Sequence, residues 1–386
     1  MRSIYLDHAA TTPLRQEAYE AMIPYLTESF GNPSSIHAFG RKVRKDLEDA
    51  RERVANALKV QPREIFFTGG GTEADNIAIL GVAARLKDKG RHIITSAVEH
   101  HAVLHTCEAL EKQGYALTVL PVDKYGMVTP ADLEKAIGAE TILVSIMHAN
   151  NEVGTVQPIK ELAAIAHERG ALFHTDAVQT VGNIPVDIED LGVDLLSASA
   201  HKIYGPKGVG LLYVRKGTKL ANIAYGGAQE RSIRPGTENV AGIMGFARAL
   251  ELAVAEQPET SRHLTVLRDK LIKGLTALPD VCLNGHPQQR LPGNANVSVE
   301  RVEGESLILS LDMAGIAVSS GSACTSGSLE PSHVLMAMGL SHQRAHGSLR
   351  FTLGKSTSAE DIDYVLEVMP GIIERLRQMS PVQSGR

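Results

Sequence analysis

Tryptophan is absent from the 386 residues, and aromatic side chains make up only 4% of them. That leaves no ring platform on which the bases of a single strand could stack. Surplus positive charge is missing too: Lys+Arg 39 against Asp+Glu 44 gives a formal net charge of −5. Without a basic excess to neutralise a phosphate backbone, nucleic acid is not an expected partner. No apolar run approaches the roughly 18 to 20 residues of a membrane span, and the N-terminal MRSIYLDHAATT holds no signal-peptide core. The reading is a cytoplasmic protein with no membrane partner. Cysteine is scarce: Cys107, Cys282 and Cys324 form no CxxC pair and leave an odd count, which argues against a disulfide framework and fits a reducing compartment.

What is present is an ordinary soluble composition, 43% hydrophobic and 22% charged, long enough for two or three units. Between residues 65 and 215, short β-branched runs alternate with helical patterns: IFFT (65–68), HIITS (92–96), ALTVLP (116–121), TILVSIM (141–147), ALFHTD (171–176), DLLSAS (194–199) and VGLLYV (209–214). This is the pattern of an α/β fold, a mainly parallel central sheet with helices on both faces. The first 60 residues read as a helical arm. Thr12-Pro13 resembles an N-cap followed by Pro at the first helical position, and Val43, Leu47, Ala50, Val54 and Leu58 repeat at helical spacing. A helix is predicted from about Val240 to Glu256. Fewer strands (ALPDVCL, NANVSVE, GIAVS, GSLRFTL) then lie among helices from 262 to 380. The division this suggests is a large domain, 16–261, and a smaller α+β C-terminal domain, 262–386, joined by residues 1–15.

Ligands of open α/β sheets bind at the carboxyl ends of the strands, and the chemistry-bearing residues cluster there. Phe67 to Glu73 (FTGGGTE) follows a strand and opens a helix, a candidate phosphate cradle without the spacing of GxGxxG or of the Walker loop. Three glycines alone also make a tight turn. Asp176, with Gln179 three residues on, ends one strand, and Ser199-Ala200-His201-Lys202 ends the next. A lone Asp there reads as a solvated loop residue and a lone Lys as a surface residue. Together, an anion cradle, a carboxylate and an amine are the parts a pyridoxal 5′-phosphate site needs. Cys324 lies in SSGSACTSGS (319–328), which has almost no large side chain to pack and so favours a functional thiol. Cys107 and Cys282 fall in segments that read as helix and strand core. His100, His101, His105 and Cys107 invite a metal reading, but HxxxH lacks the intervening Glu and a third matched ligand, so no metal is expected. His100 is placed to cover a ring at the sheet mouth. Arg350 suits a bidentate clamp on a carboxylate, or equally a surface ion pair.

Tyr5-Leu6-Asp7-His8-Ala9-Ala10-Thr11-Thr12, Gly31-Asn32-Pro33-Ser34-Ser35, Glu99-His100, Asn150-Asn151-Glu152, His174 to Gln179, Ala200-His201-Lys202, Gly236-Thr237-Glu238-Asn239 and Ser319 to Pro331 together resemble the NifS/IscS-type cysteine desulfurases. These are fold-type I pyridoxal-phosphate enzymes related to the class V aminotransferases. The likeness runs from about residue 4 to 380. Ala345-His346-Gly347 and the stop soon after Ser380-Pro381 lie closer to NifS, with nitrogenase cluster supply as one outlet. The resemblance implies that Lys202 takes the cofactor's aldehyde and Asp176 pairs with its ring nitrogen. Gln179 and Asn151 would contact the phenolic side, and His100 would stack on the ring. Gly71, Thr72, Ser199 and His201 would bind the phosphate, joined by Thr237 from a neighbouring subunit, which implies a homodimer. Arg350, with Asn32 or Asn151, would hold the carboxylate of L-cysteine. Cys324 would take the sulfur as a persulfide, with His100 or the cofactor's charge helping to deprotonate it; L-alanine would leave, and an iron–sulfur scaffold protein would accept the sulfur. Alternatives of the same fold are a selenocysteine lyase and a class V aminotransferase. Gly70-Gly71 and Ala200 depart from residues common in the family, small for small.

Overall fold

The seven runs predicted as strands all pair in one sheet. In a computed structural model, which describes residues 3–320 and 331–379, its spatial order is Ile65–Thr68, Gly210–Val214, Leu195–Ser199, Leu172–Asp176, Thr141–Ser145, His92–Ser96, Ala116–Leu120. Gly210–Val214 is antiparallel to both neighbours and every other pairing is parallel. Period-two alternation sends successive residues to opposite faces. Phe67, Ile94, Val144, Leu196 and Leu211 join one core with the Ala38–Leu58 and Ile159–Glu168 helices. Phe66, Ile93, Leu143, Leu195 and Leu212 join another with Gly71–Leu86 and His101–Glu111. With both faces covered, the strands need apolar residues throughout, which is why they read as continuous β-branched runs. Among the described residues no helix is long and apolar enough to cross a membrane.

A separate core packs around an antiparallel sheet ordered Ser348–Thr352, Asn294–Val299, Val281–Asn284. The Val240 helix does not stop at Glu256. It continues to Thr276, placing Phe246 and Leu250 in the first core and Leu267 and Leu271 in this one. Pro258 lies inside it; a proline there removes one backbone hydrogen bond, but Pro258 is exposed, so water can serve the freed carbonyl.

The N-terminal segment is helical as predicted over Gln16–Thr27 and Ala38–Leu58, but its start is not. Ile4–Tyr5 forms a strand parallel to Ile316–Ala317, and Leu6 is buried in the second core. Thr12 caps no helix, since the first one begins at Gln16 with Arg15 as its cap. Instead Thr12 Oγ1 donates to His201 O at 2.9 Å and accepts from Tyr204 N at 2.7 Å, stapling residues 7–12 across the loop that carries Lys202.

Candidate active site

The carboxyl ends of the 65–68, 92–96, 141–145, 172–176 and 195–199 strands share one edge of the sheet, and a cavity of about 350 Å³ opens there. Gly71, Thr72, His100, Asn151, Asp176, Gln179, Ser199, His201, Lys202 and Arg350 all line it. Most of them meet because they end a strand, begin a helix or lie in the turn that follows a strand at that edge, while Arg350 comes from the second sheet.

One end is built to receive an anion. The Gly71–Leu86 helix opens on it, so the backbone N–H groups of the first turn point inward. A Cβ on Gly71 would come within 2.6 Å of Val178 Cγ2, so glycine lets this turn close against the loop after Asp176. Ser199 and His201 stand opposite. His201 Nδ1 lies 3.2 Å from Thr11 Oγ1, and burial, followed by the charges of Lys202 and Lys207, lowers its pKa to about 4. The ring is therefore neutral at pH 7 and binds by hydrogen bonding.

At the centre, Asp176 is buried at the tip of its strand, with Val178 N donating to Oδ1 at 2.9 Å. Burial raises its pKa, while His100, that N–H and Lys202 favour the carboxylate. The Lys202 ammonium is held by the carbonyls of Ala9 and of Ala10, the latter at 2.9 Å. Gln179 Nε2 donates to the same Ala9 carbonyl at 3.1 Å. His100 caps the His101–Glu111 helix: its Nδ1 accepts from Ala102 N at 3.1 Å, which puts the ring proton on Nε2.

Arg350 closes the far side. Leu349 and Phe351, on either side of it, point into the second core, so strand alternation turns Arg350 toward the cavity. It is 1% exposed; Nη2 donates to Asp7 Oδ1 at 2.8 Å, Nη1 donates to Asn151 O at 3.2 Å, and among the described residues Nε has no hydrogen-bond partner.

Cys324 lies outside the described residues. On one side of residues 321–330, Ser319 exchanges backbone hydrogen bonds with the lining residue Arg350 at 2.7 and 3.2 Å, and on the other Ser332 Oγ donates to the buried Glu152 side chain, next to Asn151. The other thiols stand apart. Cys107 is buried and its pKa is pushed up to about 12, first by burial and then by Glu99 and Glu108, while Cys282 is half-buried.

A family model described as "Aminotransferase class-V" matches residues 4–365. The chain belongs to the class V aminotransferase family. Within that family it stands with the cysteine desulfurases. It is 59% identical over 381 residues to "Cysteine desulfurase IscS" of Dictyoglomus turgidum, covering 98% of this chain and 97% of that one. The protein of the same name from Methanosarcina thermophila is 57% identical, over 99% and 94%. A solved structure named "NIFS-LIKE PROTEIN" superposes with a TM-score of 0.91 at 42% identity, over 97% of this chain and 99% of that one. Another, "SspA in complex with cysteine", gives 0.81 at 37%, over 91% and 99%. Both the IscS and the NifS names thus occur among the relatives of this class V enzyme.

Class V enzymes of this kind work with pyridoxal 5′-phosphate, and the cavity fits that group. It offers a helix N-terminus suited to an anion, a buried carboxylate and an amine, and its wall carries Asp75 Oδ1 and Arg350 Nε, which have no hydrogen-bond partner among the described residues. Two predicted residues lie elsewhere. Asn32 is exposed, its Oδ1 accepting from Ser34 N at 2.9 Å, and Thr237 is exposed ahead of the Val240–Thr276 helix. Neither is among the lining residues. Sequence reasoning missed Asp75 and Met147 in the wall. The signal for Asp75 was its position four residues after Gly71, on the same helix face. Among the described residues no three His, Cys, Asp or Glu side chains gather to hold a metal ion.

Proposed function

We propose that this enzyme is a pyridoxal-phosphate-dependent cysteine desulfurase that moves the sulfur of L-cysteine onto Cys324, releases L-alanine and passes the sulfur to an iron–sulfur scaffold protein. One observation carries the reading: Lys202, Asp176 and Arg350 meet in one cavity, and the roots of the Cys324 segment are bonded to Arg350 of its wall and to Glu152, next to the lining residue Asn151. Cys324 lies four positions after Ser320, a reach of at most about 14 Å.

When bound, pyridoxal 5′-phosphate supplies an electron sink for the pair left at the substrate Cα. Gly71, Thr72, Ser199 and His201 would hold its phosphate, Asp176 its ring nitrogen, and Gln179, Asn151 and His100 the rest of the ring. Lys202 would bind its aldehyde, and the Lys202 amine would take the Cα proton of the substrate. Arg350 holds the substrate carboxylate through its fork. The Cys324 thiolate attacks the substrate Sγ: a new S–S bond forms, the Cβ–Sγ bond breaks, and Cβ gains a proton. In sum, an enzyme thiol and L-cysteine become an enzyme persulfide and L-alanine. An unperturbed thiol near pKa 8.5 is a few per cent ionised at neutral pH, so His100, which lines the cavity, assists.

The anion end of the site opens on a groove lined by Gly69, Gly70, Thr72, Lys207 and Gly208, and Thr237 is not among its residues. In a homodimer, Thr237 of the partner subunit completes that end. The odd, unpaired cysteines suit work in the reducing cytoplasm. The relative solved in complex with cysteine supports L-cysteine as substrate.

The loaded protein is expected to release one alanine for each sulfur delivered to a thiol acceptor. Liberation of a 2-oxo acid instead of alanine would place the enzyme among the transaminases and overturn this reading.

A further inference from the structure

A second carboxyl faces the cavity that holds Asp176. Asp75 is 1% exposed, lines the same cavity as Lys202, and has no hydrogen-bond partner at Oδ1 among the described residues. The neighbouring strands bring Asp176 and His174, whose Nε2 lies 3.6 Å from Oδ1, and Ser197. The turn before His101 brings Glu99. Of these groups only His174 is basic. It is fully buried, its Nδ1 is 2.8 Å from Ser145 Oγ and its Nε2 3.0 Å from Ser197 Oγ, and burial lowers its pKa to about 3. The imidazole therefore offers Asp75 no positive charge. Lys202 and His100 favour the charged form of Asp176.

Two neighbouring carboxyls in a dry site do not both ionise. The one beside the cations loses its proton and the other keeps it. We infer that Asp75 holds a proton in the working enzyme and is a positioning residue, a neutral carboxyl that leaves Asp176 as the single carboxylate opposite the cofactor's ring nitrogen. Burial first, then the charge of Asp176, holds the Asp75 carboxyl well above the ordinary range. The inference rests on the cofactor assignment above.

The test is a pH titration of the visible absorbance of the pyridoxal-phosphate holoenzyme, without substrate, in wild type, Asp75→Asn and Asp176→Asn. An amide matches a protonated acid in charge and shape, so Asp75→Asn is expected to titrate with the wild type. Asp176→Asn removes a real charge and is expected to lower the midpoint by about 1 to 3 pH units, which shows that the probe senses a carboxylate here. A midpoint in Asp75→Asn that falls as far as in Asp176→Asn would mean that Asp75 is ionised and would overturn the inference. Infrared spectra of wild type labelled with carboxyl-¹³C aspartate test it without a substitution: a protonated aspartyl carbonyl band is expected at neutral pH, and its absence overturns the proposal. A wild-type protein that takes up no visible chromophore overturns the functional reading itself, and this inference with it.

Discussion

Replacing Lys202 with alanine is expected to cut alanine production from L-cysteine by roughly 10²–10⁴-fold, the size of a lost proton-transfer catalyst, even with pyridoxal 5′-phosphate in excess. The amine has two duties in the proposed mechanism, and the variant loses both. Geometry explains why no neighbour takes over. Lys202 reaches the cavity from a short turn held in place by the Thr12 bonds to His201 and Tyr204. Borohydride reduction followed by intact mass measurement provides an independent check: the wild type keeps the cofactor's mass and the variant does not. A variant that keeps the wild-type rate would remove Lys202 from the mechanism.

Arg350→Ala is expected to lower kcat/KM by about 30-fold or more, chiefly through KM. The estimate follows from the roughly 2 to 5 kcal/mol lost when one member of a buried charge pair is truncated, at about 1.4 kcal/mol per tenfold. Arg350 is fully enclosed, and its Nε has no hydrogen-bond partner among the described residues, so a substrate carboxylate meets a desolvated donor in place. Arg350→Lys keeps the charge but not the planar fork and is expected to fall between alanine and wild type. Steady-state kinetics separate the parameters, and melting temperatures show how much of the loss reflects the broken bond to Asp7. An unchanged KM in a well-folded alanine variant would mean that the carboxylate is held elsewhere.

Most of the central sheet was legible because both of its faces are buried, so the strands appear as unbroken apolar runs such as IFFT and TILVSIM. The 240–276 helix was not, because Pro258 and the polar residues around it look like a terminus; the exposure of Pro258 makes the lost bond tolerable. Thr12-Pro13 has the local chemistry of a helix cap, yet the tertiary bonds to the Lys202 loop took Thr12 instead. At the site, Asp176 and Lys202 were legible from strand-end placement, and Arg350 from its chemistry as a carboxylate clamp. Asp75 was hidden because a charged residue near the start of a helix ordinarily faces water; here the helix is packed against the strand that carries His174. Asn32 was carried by a motif alone, and its side chain turns back onto its own loop.

The central claim is that sulfur leaves L-cysteine on Cys324. It is tested most directly by intact mass after purified holoenzyme is mixed with L-cysteine, wild type beside Cys324→Ser, with alanine quantified in parallel. A gain of about 32 Da, one sulfur atom, in the wild type only, with stoichiometric alanine, is the predicted result. Equal adducts on both proteins, or alanine without any adduct on the wild type, would contradict it.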